Sequence, residues 1–288
     1  MDRSTLPARL FAAWLILVAP FAAHAHDPGE RTVMALQARF DDVRAECGDG
    51  SASFNCNGVL IRGIRNPSIP DFWNPTDEQL ARDGVSFSYL RADVGNKAVG
   101  GNAGLIMRNL DAATRQKLSV RCVFSVNAAT SDRVKSCGTT QFPEACDTYG
   151  FDNEEGWRQH FDQVGPFKVC YFQPTAHWLQ FSIDVRKNLL PHHRDIFNEI
   201  VIAPWPHGIP EQLPIEALYF LVNELGSGLE DARLMQENFI KATGLFLPVV
   251  RVDLHREGQV FSYAPKDQSA LYLEGLKAAS DPAPAERS

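Results

Sequence analysis

Past its first two dozen residues the chain has no apolar run long enough to cross a bilayer, which takes about 20 residues. It also lacks a basic stripe. Its 28 Lys and Arg stand against 35 Asp and Glu, a formal net charge of −7, so the electrostatic footprint of a nucleic-acid binder is missing. No C-x-x-C pair occurs, and no His stands at ligand spacing from a Cys, which removes the usual sequence basis for a metal site. No internal repeat and no long low-complexity tract divides the chain.

What is present begins with a leader. Arg3 and Arg9 make the first residues positive, Leu10 to Ala23 is apolar, and Ala23-His24-Ala25 puts small residues where signal peptidase reads them. The apolar stretch is short for a membrane span and has no stop-transfer flank. The reading is therefore a signal peptide over residues 1–25, one domain over 26–278 and a disordered tail over 279–288, with a secreted or periplasmic destination and no membrane association after cleavage. Cys47, Cys56, Cys122, Cys137, Cys146 and Cys170 all fall in the mature part, and an even count in an exported chain reads as disulfides. Fifteen pairings are open. Chain proximity alone favours Cys47–Cys56 and Cys137–Cys146, leaving Cys122–Cys170.

Helical spacing of Leu36, Phe40 and Val43 predicts a helix over 31–45, and Thr76-Asp77-Glu78-Gln79 has the form of a capping box opening a short helix. Helices are also predicted over 154–162, 175–187, 214–225 and 229–243. Strands are predicted over 58–63, 85–90, 105–107, 118–124, 197–202 and 247–252, and the three prolines between 64 and 75 make that stretch irregular. The mixture lacks the regular alternation of a doubly wound sheet, so the class is α+β.

Three polar positions interrupt three apolar strands: Arg62, the Ser86/Ser88 pair and Glu199. Each alone has a bland explanation: a solvated arginine, the wet face of a sheet, an edge-strand charge. In order, Leu60-Ile61-Arg62-Gly63, Val85-Ser86-Phe87-Ser88-Tyr89-Leu90 and Asn198-Glu199-Ile200-Val201-Ile202 resemble the Arg–Ser–Glu core of the ADP-ribosyltransferase fold. Cys56-Asn57-Gly58-Val59-Leu60-Ile61-Arg62-Gly63, Gly84 to Arg91, Leu213-Pro214-Ile215-Glu216-Ala217 and Leu247-Pro248-Val249-Val250-Arg251 resemble the halovibrin family of secreted bacterial proteins, over most of the mature chain.

The resemblance implies an ADP-ribosyltransferase-like arrangement of mixed sheets and flanking helices, with NAD as substrate and no cofactor or metal. Cleaving the nicotinamide–ribose bond develops positive charge on the ribose, which a carboxylate stabilises; Glu199 is the residue for this. Arg62 would hold the pyrophosphate with its planar fork of donors, while Arg65 and Arg91 either support the pyrophosphate or are only paired on the surface. Ser86 would orient the carboxylate with Ser88 in support, and Trp73 could face a ring of the dinucleotide. Glu216, within the predicted helix 214–225, is the reserve carboxylate; His192-His193 reads as a solvated loop. Transferases that modify proteins commonly have Glu or Gln two residues before the catalytic Glu, and here Phe197 stands there. That favours water as acceptor, and so an NAD glycohydrolase. A protein mono-ADP-ribosyltransferase with an unknown target, or a non-enzymatic secreted binding protein, are the alternatives.

Overall fold

The computed structural model describes residues 27–108, 118–127, 133–135, 137–139, 145–150, 153–164, 170–189, 197–203, 213–222 and 226–280. Its helices are α1 (Pro28–Asp41), α2 (Asp77–Ala81), α3 (Glu154–Val164), α4 (Ala176–Leu189), α5 (Gly228–Thr243) and α6 (Ala270–Ser280). The strands are β1 (Val59–Gly63), β2 (Val85–Leu90), β3 (Ala103–Met107), β4 (Ser119–Phe124), β5 (Arg133–Lys135), β6 (Gly138–Thr139), β7 (Glu199–Ala203), β8 (Ile215–Leu221), β9 (Val249–Val252) and β10 (Phe261–Ser262). Eight strands form one mixed sheet in the order β10-β9-β8-β3-β1-β2-β7-β4, with β5 and β6 as a separate hairpin. All neighbours in the large sheet run antiparallel except β8 and β9, which are parallel and joined through α5. The fold is thus α+β with helices flanking a mixed sheet.

Alternation along the strands gives the sheet two apolar faces. Val59, Ile61, Ile106, Ala217, Tyr219 and Val250 pack with Val33 and Leu36 of α1. Leu60, Phe87, Leu105, Leu218 and Phe220 belong to a larger cluster that takes in Ala232, Met235 and Phe239 of α5 and Leu179 and Ile183 of α4. Asp27 starts α1 by accepting a hydrogen bond from the Gly29 amide at 2.7 Å, which sets the helix three residues earlier than its apolar spacing indicates and leaves Val43 outside it. Both bonds of the predicted capping box form at α2: Gln79 N–H donates to Thr76 Oγ1 at 3.3 Å, and Thr76 N–H donates to Gln79 Oε1 at 3.0 Å.

Two secondary-structure expectations are corrected. Residues 215–221 are strand β8, not part of a helix. They sit between β3 and β9, buried against α1 on one side and α5 on the other, so apart from Glu216 both faces are apolar and period-2 alternation is erased. Helix α6 runs to Ser280, so the first residues assigned to a disordered tail are helical; 281–288 lie outside the described residues, as do the leader and His192-His193.

The disulfides are Cys47–Cys56, Cys122–Cys137 and Cys146–Cys170. The first is the one expected; the other two replace Cys137–Cys146 and Cys122–Cys170. Topology explains the exchange. Cys137 lies in the turn between β5 and β6 and meets Cys122 on β4 with a Cα–Cα separation of 5.9 Å. Cys146 donates its amide to the Tyr171 carbonyl at 2.7 Å, and this local pairing brings it beside Cys170, Cα–Cα 4.9 Å. Among the described residues no helix is long and apolar enough to cross a membrane.

Candidate active site

Register decides which side chains can meet. In the β2–β7 ladder Ser86 stands opposite Val201, and Phe87 opposite Ile200. Glu199 is two residues from Val201, so it shares a sheet face with Ser86 and Ser88, on the diagonal from Ser86. A glutamate is long enough to close that diagonal. The Ser86 hydroxyl donates to Glu199 Oε1 at 2.5 Å. Phe87 points the other way and is buried. Arg62, near the end of β1, reaches across to β2 and donates from Nη1 to the Ser86 carbonyl at 3.0 Å. A guanidinium, a hydroxyl and a carboxylate from three neighbouring strands are therefore linked through one residue, Ser86, although Glu199 lies 113 positions further along the chain.

These groups open onto a cleft of about 590 Å³. It is lined by Arg62, Ser86, Ser88 and Glu199 from the sheet, by residues of the 64–76 stretch and α2, and by Gly100, Asn127 and Phe197. Glu199 is 1% exposed and Ser88 4%, so the carboxylate sits at the bottom, out of bulk water. Arg65 is exposed on the rim and makes no hydrogen bond or ion pair among the described residues, whereas Arg82 on the same side is paired with Glu78. The size lies within the 300–1,000 Å³ typical of small-molecule sites.

Glycines set how closely the cleft walls approach. A Cβ on Gly63 would lie 2.6 Å from the Gly100 carbonyl oxygen and 2.6 Å from the Gly101 amide nitrogen, so the end of β1 and the loop after β2 touch backbone to backbone. Tyr219 of β8 fixes the same loop by donating its hydroxyl to the Gly101 carbonyl at 3.0 Å. Complete burial pushes that phenol's pKa upward, against the opposing pull of the Arg62 charge.

Several sequence candidates stand elsewhere. Trp73 is 3% exposed and packs edge-on between Phe72 and Phe239, at centroid distances of 5.0 and 4.9 Å; it is a core residue, and its neighbour Phe72 lines the cleft instead. Prolines on both sides of the Phe72-Trp73 pair hid which ring faces inward. Arg91 is buried and holds Asp93 with two bonds, of 2.6 and 2.9 Å, so it is not at the cleft. Glu216, on β8, is ion-paired with Arg39 of α1 away from the cleft; burial raises its carboxyl pKa, and the Arg39 charge opposes the shift. Asn127, three residues past β4, and Gly100 are lining residues that no local motif marks. Among the described residues no group of three His, Cys, Asp or Glu side chains is placed to hold a metal ion. No family model matches the chain, and no curated protein matches it either.

Proposed function

We propose that this chain is an exported NAD-cleaving enzyme with an ADP-ribosyltransferase-like fold, acting as an NAD glycohydrolase in the manner of the halovibrin family it resembles. The observation that carries the reading is the connected set at the base of one cleft: Arg62 bonded to the Ser86 carbonyl, and the Ser86 hydroxyl bonded to a buried Glu199. The leader over residues 1–25 and the three disulfides support an oxidising destination, medium or periplasm.

In this reading the bond from ribose C1′ to the nicotinamide nitrogen breaks, and nicotinamide leaves neutral with the bonding pair. The ribose becomes oxocarbenium-like. Glu199, held in one rotamer by Ser86, stabilises that charge from a site shielded from water, where a fixed charge acts most strongly. Water adds its oxygen to C1′ and loses a proton, giving ADP-ribose. Arg62, with Arg65 on the rim, binds the pyrophosphate oxygens. Phe197 borders the cleft two residues before Glu199 and cannot polarise a protein acceptor, which favours water.

The test is direct. Purified protein with its disulfides formed is incubated with NAD, and nicotinamide is separated by chromatography. Nicotinamide release in step with ADP-ribose is expected. No cleavage at high enzyme concentration refutes the reading, and label from NAD appearing on a protein of a cell lysate replaces it with the transferase alternative.

A further inference from the structure

Glu199 is the first residue of β7, and the structure shows what holds that end of the strand. The last paired residues of the β2–β7 ladder on this side are Phe87 and Ile200. Two steps further the same register sets Tyr89 opposite Asn198. There the main chain of Asn198 is replaced by its side chain. Tyr89 N–H donates to Asn198 Oδ1 at 2.8 Å, and Asn198 Nδ2 donates to the Tyr89 carbonyl at 3.0 Å. The carboxamide copies a peptide group and extends the ladder by one rung. Asn96, from the loop that also carries Gly100, donates its own amide to Asn198 Oδ1 at 3.1 Å and to the Tyr89 carbonyl at 3.2 Å. All of this is buried, Asn198 being 6% exposed.

We propose that Asn198 is a positioning residue for Glu199. The clamp joins the start of β7, the end of β2 and the loop bordering the cleft, immediately beside the carboxylate. Ser86 and Glu199 meet only if β2 and β7 keep their spacing at this end, and a 2.5 Å hydrogen bond tolerates little displacement. Asparagine alone among the common side chains fits: aspartate can accept but not donate once ionised, and glutamine is one methylene too long. The kinetic consequence rests on the NAD-cleaving reading; the geometric one does not.

A built-in control exists at the opposite edge of the sheet. Gln37 of α1 makes an equivalent amide clamp, accepting from the Val260 and Phe261 amides at 2.9 and 3.2 Å and donating to the Gly258 carbonyl at 3.0 Å, remote from the cleft. The experiment compares Asn198→Ala, Asn198→Asp, Asn96→Ala, Ser86→Ala and Gln37→Ala in the mature chain. It reads kcat and KM for NAD together with the side-chain carboxyl 13C resonance of Glu199, assigned by its loss in Glu199→Gln. Asn198→Ala and Asn198→Asp are expected to lower kcat about 100-fold with KM changed less than about threefold, and to move the Glu199 resonance toward its position in Ser86→Ala. Asn96→Ala, which removes one outer donor, is expected to lower kcat about tenfold and carries the test where the Asn198 variants do not fold. Gln37→Ala is expected to lose thermal stability while keeping kcat and the resonance. A kcat within about twofold of wild type with an unmoved resonance in the Asn198 variants overturns the proposal. If the wild-type protein cleaves no NAD, the functional reading falls, and the resonance alone then decides whether Asn198 positions Glu199.

Discussion

Glu199→Gln separates charge from shape at the base of the cleft. The carboxylate is 1% exposed and receives the Ser86 hydroxyl at 2.5 Å. The carboxamide oxygen of Gln can accept the same bond, so what is removed is the negative charge. On the rate, a unit charge about 4 Å from a cationic ribose is worth about 4 kcal/mol at an effective dielectric constant near 20. That corresponds to a loss of about three powers of ten in kcat. On stability the balance is closer. A buried carboxylate carries a desolvation penalty of several kcal/mol, and each hydrogen bond it accepts, the Ser86 bond among them, returns about 1.5–3 kcal/mol. The variant is therefore expected to keep the fold, with Tm within about 4 °C of wild type. Nicotinamide release at saturating NAD and scanning calorimetry on the same sample measure the two effects. A variant retaining more than about a tenth of the wild-type rate refutes the electrostatic role. A variant that loses stability along with activity refutes the separation and makes Glu199 a structural residue.

Arg62→Lys keeps the charge but loses the planar fork, and is expected to raise KM for NAD about tenfold or more with a smaller change in kcat, measured by initial rates. Trp73→Ala empties a core position between Phe72 and Phe239 and is expected to cost about 3–5 kcal/mol in denaturant unfolding while KM of the folded fraction stays unchanged. Burial raises the Tyr89 phenol from the ordinary phenol value of 10.0 to about 12. The folded state then holds the proton more tightly than the unfolded one, so its contribution is fully present below pH 10 and is lost as pH rises from 10 towards 12. Urea unfolding at pH 8, 10.5 and 11.5 is expected to show a fall that Tyr89→Phe reduces by up to about 2–3 kcal/mol.

The strands that bear the site were legible because each combines β-branched or aromatic residues with a polar intruder. Arg62 and the Ser86/Ser88 pair stand out against Val59-Leu60-Ile61 and Val85-Phe87-Tyr89, and Glu199 against Ile200-Val201-Ile202. That β1, β2 and β7 lie side by side was not legible, since β7 enters the sheet only after β3, β4 and the disulfide-bearing segment. Strand β8 misled for a physical reason. Its Glu-Ala-Leu stretch has good helix formers, and burial on both faces removes the alternation that marks a strand. The cysteine pairs misled because short loops were favoured over long ones, although doubling a loop costs only about 0.6 kcal/mol, less than the strand pairing that sets these contacts. The role of Asn198 carried no signal: within the predicted strand 197–202 nothing marks that its side chain, rather than its main chain, pairs with Tyr89.

Where Gly63 meets Gly100 and Gly101, two wall segments are in contact with no side chain between them. Side chains normally act as the compliant layer of a protein, since a rotamer can turn to absorb a small shift. Here that layer is absent, and Tyr219 pins the far side of Gly101. A push on the loop from whatever fills the cleft is passed to the strand bearing Arg62 as displacement of the main chain itself, so the two walls must move as one rigid piece or not move.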